Sequence, residues 1–349
     1  MIRHDPPTYR LTVRHHGGMK VVAAPDKFRG TATAPQVAAA VGRAAAGRGW
    51  TCAEVPLADG GEGTLDALGG PNRTTLVTGP LGDPLDAAWQ LEGRRAVIEM
   101  ARASGLELVG GPDKNDPIAA STYGVGELIA DAFDSGAKRI VVGVGGSATT
   151  DGGLGALRAL YPIQRYRGIE LLVACDVRTR FVDAADVFAP QKGASPAQVE
   201  LLRRRLERLA QVYIEDHGVD VRELEGGGAA GGLAGGLAAV GAQLVPGFEL
   251  VADEVDLDGH LEHADLAITG EGFLDSQSFD GKVVGGVVEY AEAAGVPVLA
   301  VVGEVFDDET VSGRMPVISL TARFGAERAR GDTLACIEEV VGEHLAERT

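Results

Sequence analysis

The chain has 349 residues, which at about 100–200 residues per domain predicts two domains, each with its own core. Its formal net charge of −18 argues against a nucleic-acid partner, because phosphate backbones bind basic surfaces, but a few local cations would still suffice for a small anionic substrate. The three cysteines are too widely spaced for a disulfide framework or a zinc site, so we expect a cytoplasmic protein.

The first elements of the chain alternate between strand and helix. Residues 1–18 are polar and lack the apolar core of a signal peptide, so we expect a disordered extension. Residues 19–24 form a short apolar run that predicts a buried strand, and Thr33 is a suitable N-cap for a helix from Ala34. Residues 55–57 predict the edge of a second strand. Alternation of this kind is typical of an α/β domain.

The middle of the chain has a different pattern. Residues 74–98 read as consecutive strands joined by tight turns, which predicts a β-meander. Helical periodicity returns after Ser121 and ends at Gly136, and a strand follows at 139–144. The Gly- and Ala-rich stretch 226–245 carries too little transfer energy for a membrane span, so we expect no membrane association.

The C-terminal part returns to the pattern of the N terminus. A strand ends near Thr269, a helix ends at Gly295, and two further strands follow. The sequence therefore predicts an α/β fold of two α/β domains. A Rossmann-like parallel-sheet domain, formed by residues 19–65 and 266–349, is interrupted by an inserted mixed-sheet domain of residues 66–265.

Glycine-rich loops that also carry acids and hydroxyls follow several predicted strands. They lie at residues 24–31, 58–64, 143–153 and 269–278. Glycine lets backbone N–H groups approach an anion closely, and in open α/β sheets ligands bind at the carboxyl ends of the strands. One such loop could be a packing turn, but four together predict a site for a phosphorylated ligand.

Acidic residues at strand ends supply the other half of the predicted site. A phosphoryl-transfer site needs carboxylates to hold Mg²⁺ and to accept the proton of the attacking hydroxyl, and cations to neutralise the phosphates. Asp176 follows a buried strand at once, which suits a general base, whereas the adjacent Cys175 reads as a packing residue. Any single acid could equally be an N-cap or an Asx turn. The candidate cations are Lys27, Arg29, Lys192 and Lys282.

A dinucleotide-binding fingerprint is an alternative interpretation of the loop at 143–153. Residues 143–148 match G-x-G-x-x-A after a strand. That fingerprint needs a helix that starts within the motif, and Gly152 and Gly153 would weaken its first turn. A nicotinamide-dependent dehydrogenase therefore stays open as the weaker hypothesis.

The ordered motifs resemble those of the bacterial type I glycerate kinases. They are APDKFRG, PLADGGEGT, VIEMARASGL, STYGVGELI, GVGGSATTDGG, VACDV, APQKGA, GGGAAGGLAGGL and TGEGFLDSQSFDGK, and the resemblance covers residues 19 to about 303. The resemblance implies ATP- and Mg²⁺-dependent phosphorylation of D-glycerate, usually at the 2-hydroxyl. It also implies two α/β domains with the active site between them.

The residues and the resemblance together predict four groups of site residues. Asp176 and Lys192 are the predicted catalytic residues. The predicted metal ligands are Asp151 and Glu271. The predicted nucleotide contacts are Gly145, Gly146, Ser147, Thr149, Gly228 and Gly231. The predicted substrate contacts are Asp26, Lys27, Arg29, Asp59, Glu62, Asp275 and Gln277.

The chain also departs from the family pattern. The stretch between residues 153 and 173 is shorter than in most members, and Arg178-Thr179-Arg180 stands where the family usually has Asn-Pro. Thr150 stands where the family has Asn before the DGG motif, and Phe273 stands where it has Arg in the GEG loop. Arg29 stands where the first loop of the family usually has Lys. These changes keep a second hypothesis open, a diverged kinase-like protein that binds nucleotide or another small hydroxy acid without turnover. The sequence also leaves a homodimer open.

Overall fold

We describe residues 18–279, 281–306 and 314–348 of a computed structural model of the chain. The extension predicted for residues 1–18 lies outside these ranges apart from Gly18. Within them the strands are β1 (Lys20–Ala23), β2 (Thr51–Glu54), β3 (Arg73–Thr78), β4 (Pro84–Glu92), β5 (Arg95–Glu99), β6 (Arg139–Gly143), β7 (Glu170–Ala174), β8 (Gln243–Val245), β9 (Leu266–Thr269), β10 (Phe273–Leu274), β11 (Val298–Val302), β12 (Glu304–Val305) and β13 (Val317–Ser319).

The strands form a parallel sheet, a mixed sheet and a short parallel pair, β10 with β12. The parallel sheet has the order β13-β11-β9-β1-β2, so strands from both ends of the chain lie side by side. The mixed sheet has the order β3-β4-β5-β6-β7-β8 and is antiparallel only from β3 to β5, where the meander was predicted. The predicted α/β fold class, with one parallel and one mixed sheet, is confirmed.

One strand prediction is displaced. The second strand was predicted at residues 55–57, but β2 ends at Glu54. It lies at the sheet edge, where both of its terminal residues are exposed, so no continuous apolar run marks it. Val55 N–H still donates to the carbonyl of Ala23, which explains why the apolar signal follows the strand.

The helices follow the predicted pattern. Thr33 caps the first one in a capping box with Gln36, and Gly295 ends the helix before β11 in a left-handed conformation. The α-helices span Ala34–Ala46, Thr64–Ala67, Ala101–Ser104, Tyr123–Asp134, Leu154–Ala159, Ala184–Phe188, Pro196–His217, Ala229–Ala239, Gly247–Glu254, Leu257–Leu261, Val283–Ala294, Leu320–Phe324, Ala326–Gly331 and Thr333–Ala346. None of the helices in the described ranges combines the length and the hydropathy that a membrane span needs.

Apolar residues bury both faces of the parallel sheet. Helices Ala34–Ala46 and Thr333–Ala346 cover one face, and helices Gly247–Glu254, Leu257–Leu261 and Val283–Ala294 cover the other. Two of these helices precede residue 266, so this packing favours a C-terminal domain boundary nearer residue 246 than 265. The division into residues 19–65 with 266–349 and the insert 66–265 stays a prediction.

Candidate active site

Loops from the ends of both sheets meet with their backbones in contact. A Cβ atom on Gly60 would lie 2.8 Å from Gly247 Cα and from Ala174 Cβ, and one on Gly145 would lie 2.7 Å from Gly61 Cα. The loop after β2 therefore lies against the loops that follow β6, β7 and β8. Glycine is required here for close approach of protein backbone, and this approach brings the acids of the loops together.

Asp176 is a half-buried carboxylate at this junction. Its Oδ1 accepts a hydrogen bond from Gly247 N–H at 2.7 Å, whereas Oδ2 is buried without a partner among the described residues. Burial raises the pKa of Asp176 from 3.8 to about 7, the Gly247 bond opposes this rise, and the charge of Asp59 adds to it. A carboxyl with such a pKa accepts and releases a proton near neutral pH.

A small cavity with both acidic and basic walls adjoins Asp59. Its volume is about 210 Å³, and we call it the acidic cavity. Its charged lining residues are Asp26, Lys27, Arg29, Asp59, Glu271, Asp275 and Lys282. Five of the seven predicted substrate contacts and one predicted metal ligand therefore share one cavity.

Two buried acids of the acidic cavity hold their protons unusually tightly. Burial raises the pKa of Asp26 from 3.8 to about 6, although Lys27, whose Nζ lies 3.6 Å from Asp26 Oδ1, opposes the rise. Burial likewise raises the pKa of Glu271 from 4.5 to about 7, and Glu271 Oε1 has no partner among the described residues. The two acids therefore favour a cation or a hydrogen-bond donor beside them, whereas Lys27, Arg29 and Lys282 in the same lining favour an anionic group.

The other predicted substrate contacts lie further out. Glu62 lines a neighbouring cavity of about 340 Å³ that shares Lys27 and Arg29 with the acidic cavity. Gln277 is exposed and lines neither of these cavities; its N–H instead donates to Asp275 Oδ1 in a turn. The structure thus does not bring Gln277 to the rest of the group.

A larger cavity of about 830 Å³ contains Asp176, and we call it the Asp176 cavity. Apolar residues such as Val245, Pro246 and Phe279 form part of its lining. It adjoins the acidic cavity, because Gly281 lines the first and Lys282 the second. Asp59 also raises the pKa of both Asp26 and Asp176, so one electrostatic environment joins the two cavities.

Lys192, predicted to be catalytic, lines neither of these two cavities. Its side chain is 3% exposed, and its Nζ donates to Ser147 Oγ and to the carbonyl of Thr149, both at 2.7 Å. Burial lowers the pKa of Lys192 from 10.5 to about 7. Lys192 therefore does not share a cavity with Asp176, and its two hydrogen bonds hold the loop at 147–149 in place. Its catalytic role stays a prediction.

Asp151, a predicted metal ligand, is likewise engaged within the protein. Its two oxygens accept hydrogen bonds from the N–H and hydroxyl of Thr122 and from the N–H groups of Gly153 and Gly155. It lines a cavity other than that of Glu271. The predicted pair is therefore not brought together, and no three metal-ligating side chains form a cluster in the described part of the chain.

The glycine block at 226–236, predicted to contact nucleotide, packs against protein backbone. A Cβ on Gly231, which has φ +66°, would lie 2.0 Å from the carbonyl oxygen of Thr149, and one on Gly228 would lie 2.3 Å from that of Arg180. Gly146, also with positive φ, accepts a backbone bond from Leu106. These contacts give the glycines a structural reason that involves no ligand.

The loop at 143–153 also lacks the helix that a dinucleotide fingerprint requires. The next helix starts only at Leu154, after Gly152 and Gly153, which both have positive φ. The weaker dehydrogenase hypothesis therefore gains no support from the geometry.

Glu99 and Arg102 belong to the surroundings of the site but were not predicted. Glu99 is 1% exposed; its Oε1 accepts from the N–H groups of Gly63 and Leu65, and its Oε2 accepts from Arg102 Nε at 3.1 Å. It thereby fixes the loop that carries Asp59 and places Arg102 in the cavity beside Lys27. Sequence reasoning could have found Glu99, because it is an acid at the end of a buried strand. Asp176 has a similar position, two residues after the end of β7.

Fold and cavities together define the class, a two-sheet α/β protein with carboxylate-lined cavities at its strand ends. The model of the "Glycerate kinase family" matches residues 21–161 and 162–338. The chain is 39% identical to the glycerate 2-kinase of Escherichia coli K12 over 330 residues, with 83% of this chain and 86% of that protein covered. It is 40% identical to the glycerate kinase of Halalkalibacterium halodurans over 327 residues, with 82% and 85% covered.

A solved structure of a protein described as a glycerate kinase has the same fold as this chain. The crystal structure of "putative glycerate kinase 2 from Salmonella typhimurium LT2" superimposes with a TM-score of 0.81 at 36% identity, covering 95% of this chain and 99% of that chain. The chain therefore belongs to the glycerate kinase family, and the family resemblance found in the sequence is confirmed.

Proposed function

We propose that this chain transfers a phosphoryl group from ATP to D-glycerate, at the 2-hydroxyl. Its family membership supports this reaction. The environment of Asp176 is the observation on which the assignment of the site rests. This half-buried carboxylate has a pKa of about 7 and an oxygen without a hydrogen-bond partner among the described residues, and it lines the larger of two adjoining cavities.

The acidic cavity suits the hydroxy acid. A volume of about 210 Å³ accommodates a three-carbon acid but not a nucleotide. Lys27, Arg29 and Lys282 supply cations for the carboxylate of the substrate and for the phosphoryl group in transfer. The Asp176 cavity, about 830 Å³ with a partly apolar lining, is the better match for the nucleotide.

The carboxylates fit a magnesium ion that arrives with the nucleotide. Mg²⁺ usually takes one or two protein carboxylates and completes its shell with phosphates and water, so a three-carboxylate cage is not required. Glu271 Oε1 is buried without a partner among the described residues, and Asp26 raises the pKa of Glu271, so Glu271 and Asp26 would hold the ion. When bound, Mg²⁺ neutralises charge on the phosphates.

Asp176 would act on the substrate as a general base. As the substrate oxygen forms its bond to phosphorus and the bond to ADP breaks, Asp176 accepts the proton of that hydroxyl. A base works best when its pKa is close to the working pH, and burial sets this value for Asp176. We expect kcat/KM to rise with pH through about 7 as the carboxyl loses its proton.

We also predict a cytoplasmic location and a homodimer. The alternative of a non-catalytic binding protein is not favoured, because the relatives are named as kinases and Asp176 lies in the motif VACDV, which resembles the family pattern.

An ADP-release assay with ATP, Mg²⁺ and a panel of small hydroxy acids tests the proposal, with ³¹P NMR to identify the product. We expect 2-phosphoglycerate from D-glycerate and a loss of at least about 100-fold in kcat for Asp176→Asn, with ATP affinity retained. Asp113→Asn, an exposed acid away from both cavities, is the matched control. Clear ATP binding without ADP release for any acid would contradict the assignment, and an active Asp176→Asn variant would remove the base.

A further inference from the structure

A third large cavity shares no lining residue with the acidic cavity or the Asp176 cavity. It has a volume of about 1020 Å³ and lies between the segment at 117–123, the start of helix Leu154–Ala159 and one face of helix Pro196–His217. We call it the arginine cavity. It adjoins Thr150 and Asp151, near the end of the loop at 143–153, whereas Gly145 at the start of that loop contacts Gly61.

Four arginines line this cavity in a chain whose net charge is −18. Arg204 pairs with Glu200 at 3.4 Å, and Arg208 pairs with Glu215 at a longer 3.8 Å. In the described ranges, neither Arg158 nor Arg205 has a carboxylate within 4.0 Å. Arg205 donates a hydrogen bond to the carbonyl of Ile118. Two guanidinium groups are thus left for a ligand.

Thr150 supplies an independent observation that points to a ligand. It lines the cavity, is 2% exposed, and its Oγ1 has no hydrogen-bond partner among the described residues. A buried hydroxyl without a partner is uncommon and unfavourable, since it has lost its hydrogen bonds to water. A bound molecule at the base of the cavity would satisfy it.

The remaining lining decides what kind of molecule fits. Leu201, Leu209 and Val212 give one wall apolar character. Asp151 is the one acid among the described lining residues, and hydrogen bonds from Thr122 and from backbone N–H groups already compensate its charge. The cavity therefore combines an apolar wall, a hydroxyl and two guanidinium groups without a carboxylate partner among the described residues. Guanidinium groups can bind phosphate through two parallel hydrogen bonds.

We propose that the arginine cavity is a second ligand site, for an organic phosphate, separate from the site of phosphoryl transfer. Arg158 and Arg205 bind the phosphate, Thr150 hydrogen-bonds the ligand, and its less polar part lies on the wall formed by helix Pro196–His217. A nucleotide and a phosphorylated hydroxy acid share this chemistry. The site does not depend on which substrate the chain phosphorylates.

Isothermal titration calorimetry tests this site with two probes, ADP and 2-phosphoglycerate, each titrated into the full chain. We expect at least one probe to bind with an affinity that Arg158→Gln/Arg205→Gln lowers by at least about tenfold, because two charge-assisted hydrogen bonds are lost. Arg167→Gln, an exposed arginine outside this cavity, is the matched control and should leave the affinity unchanged. Comparison of the affinities for ADP and 2-phosphoglycerate tells whether the site binds a nucleotide or the phosphorylated hydroxy acid.

Thr150→Val separates ligand binding from folding. Because its hydroxyl has no hydrogen-bond partner among the described residues, we expect the melting temperature of this variant to stay the same or rise while the affinity falls several-fold. Asp176→Asn should keep the binding that the arginine variant removes, which separates this site from the catalytic one. If the arginine variant binds both probes as the wild type does, or if neither binds the wild type, the proposal is refuted.

Discussion

Replacing Asp176 by Asn should make the protein more stable at pH 8. The carboxylate is half-buried, and one of its oxygens has no hydrogen-bond partner among the described residues, so its charge is poorly solvated when ionised. Asparagine is nearly the same size, and its carbonyl oxygen retains the bond from Gly247 N–H. The substitution therefore removes a buried charge without opening a cavity.

The size and pH dependence of the effect follow from the pKa. Because each pKa unit is worth about 1.4 kcal/mol, a rise from 3.8 to about 7 sets an upper limit of about 4 kcal/mol, and partial exposure lowers our expectation to about 2–3 kcal/mol. Between these two values the folded state binds more protons than the unfolded state. The contribution of Asp176 to stability consequently falls as pH rises from about 4 to about 7 and is constant above that.

Urea unfolding of wild type and Asp176→Asn at pH 4.5, 6, 7 and 8 measures this difference. We expect the variant's advantage in free energy of unfolding to be small at pH 4.5 and to reach its full value by pH 8. Asp26 and Glu271 also have raised pKa values and titrate in the same pH range. Their contributions cancel when the free energy of unfolding of the wild type is subtracted from that of the variant. A difference independent of pH, or a variant less stable than wild type at pH 8, would refute the reasoning.

Three further predictions concern residues that hold the loops in place. Glu99→Gln should lower the free energy of unfolding by about 1–3 kcal/mol and reduce kcat, since the loop of the acidic cavity loses its anchor; unchanged kcat would show that the anchor is dispensable. Gly231→Ala should unfold at markedly lower urea concentration than Gly241→Ala, because both glycines have positive φ but only Gly231 meets backbone at 2.0 Å; equal midpoints would contradict this. The stability of wild type relative to Lys192→Met should rise between pH 7 and pH 10, since the folded lysine, with its lowered pKa, binds fewer protons than the unfolded one; a falling difference over that range would argue against a buried lysine.

Most of the fold could be predicted because its signals are local. Apolar runs mark the central strands, the capping box at Thr33 marks a helix start, and the close spacing of turns marks the meander. The strand at the sheet edge, Thr51–Glu54, was not predicted at its true position, because none of its residues is fully buried and no apolar run marks it. Local signals also say little about which sheet the helices after residue 246 pack against, because that depends on contacts between distant residues.

The acids of the site could be predicted better than the glycines. Strand topology brings Asp26, Asp59 and Glu271 to one cavity, because parallel strands end at the same edge of a sheet. A glycine permits close approach of either an anion or another backbone, and sequence alone does not distinguish the two. Gly231 is an example of the second case. Lys192 shows the same ambiguity for a cation, since its ammonium group is hydrogen-bonded to Ser147 and Thr149 within the protein.

Burial gives Asp176 two opposite effects, and one variant measures both. The desolvation that keeps its pKa near 7 makes the carboxyl a useful base at neutral pH, and the same desolvation lowers the stability of the folded chain. A carboxylate kept only for structure would lose both stability and activity on substitution, as Glu99 should. Gain of stability with loss of turnover in Asp176→Asn is therefore a result that a structural role does not produce, and it would tie the unusual pKa to catalysis.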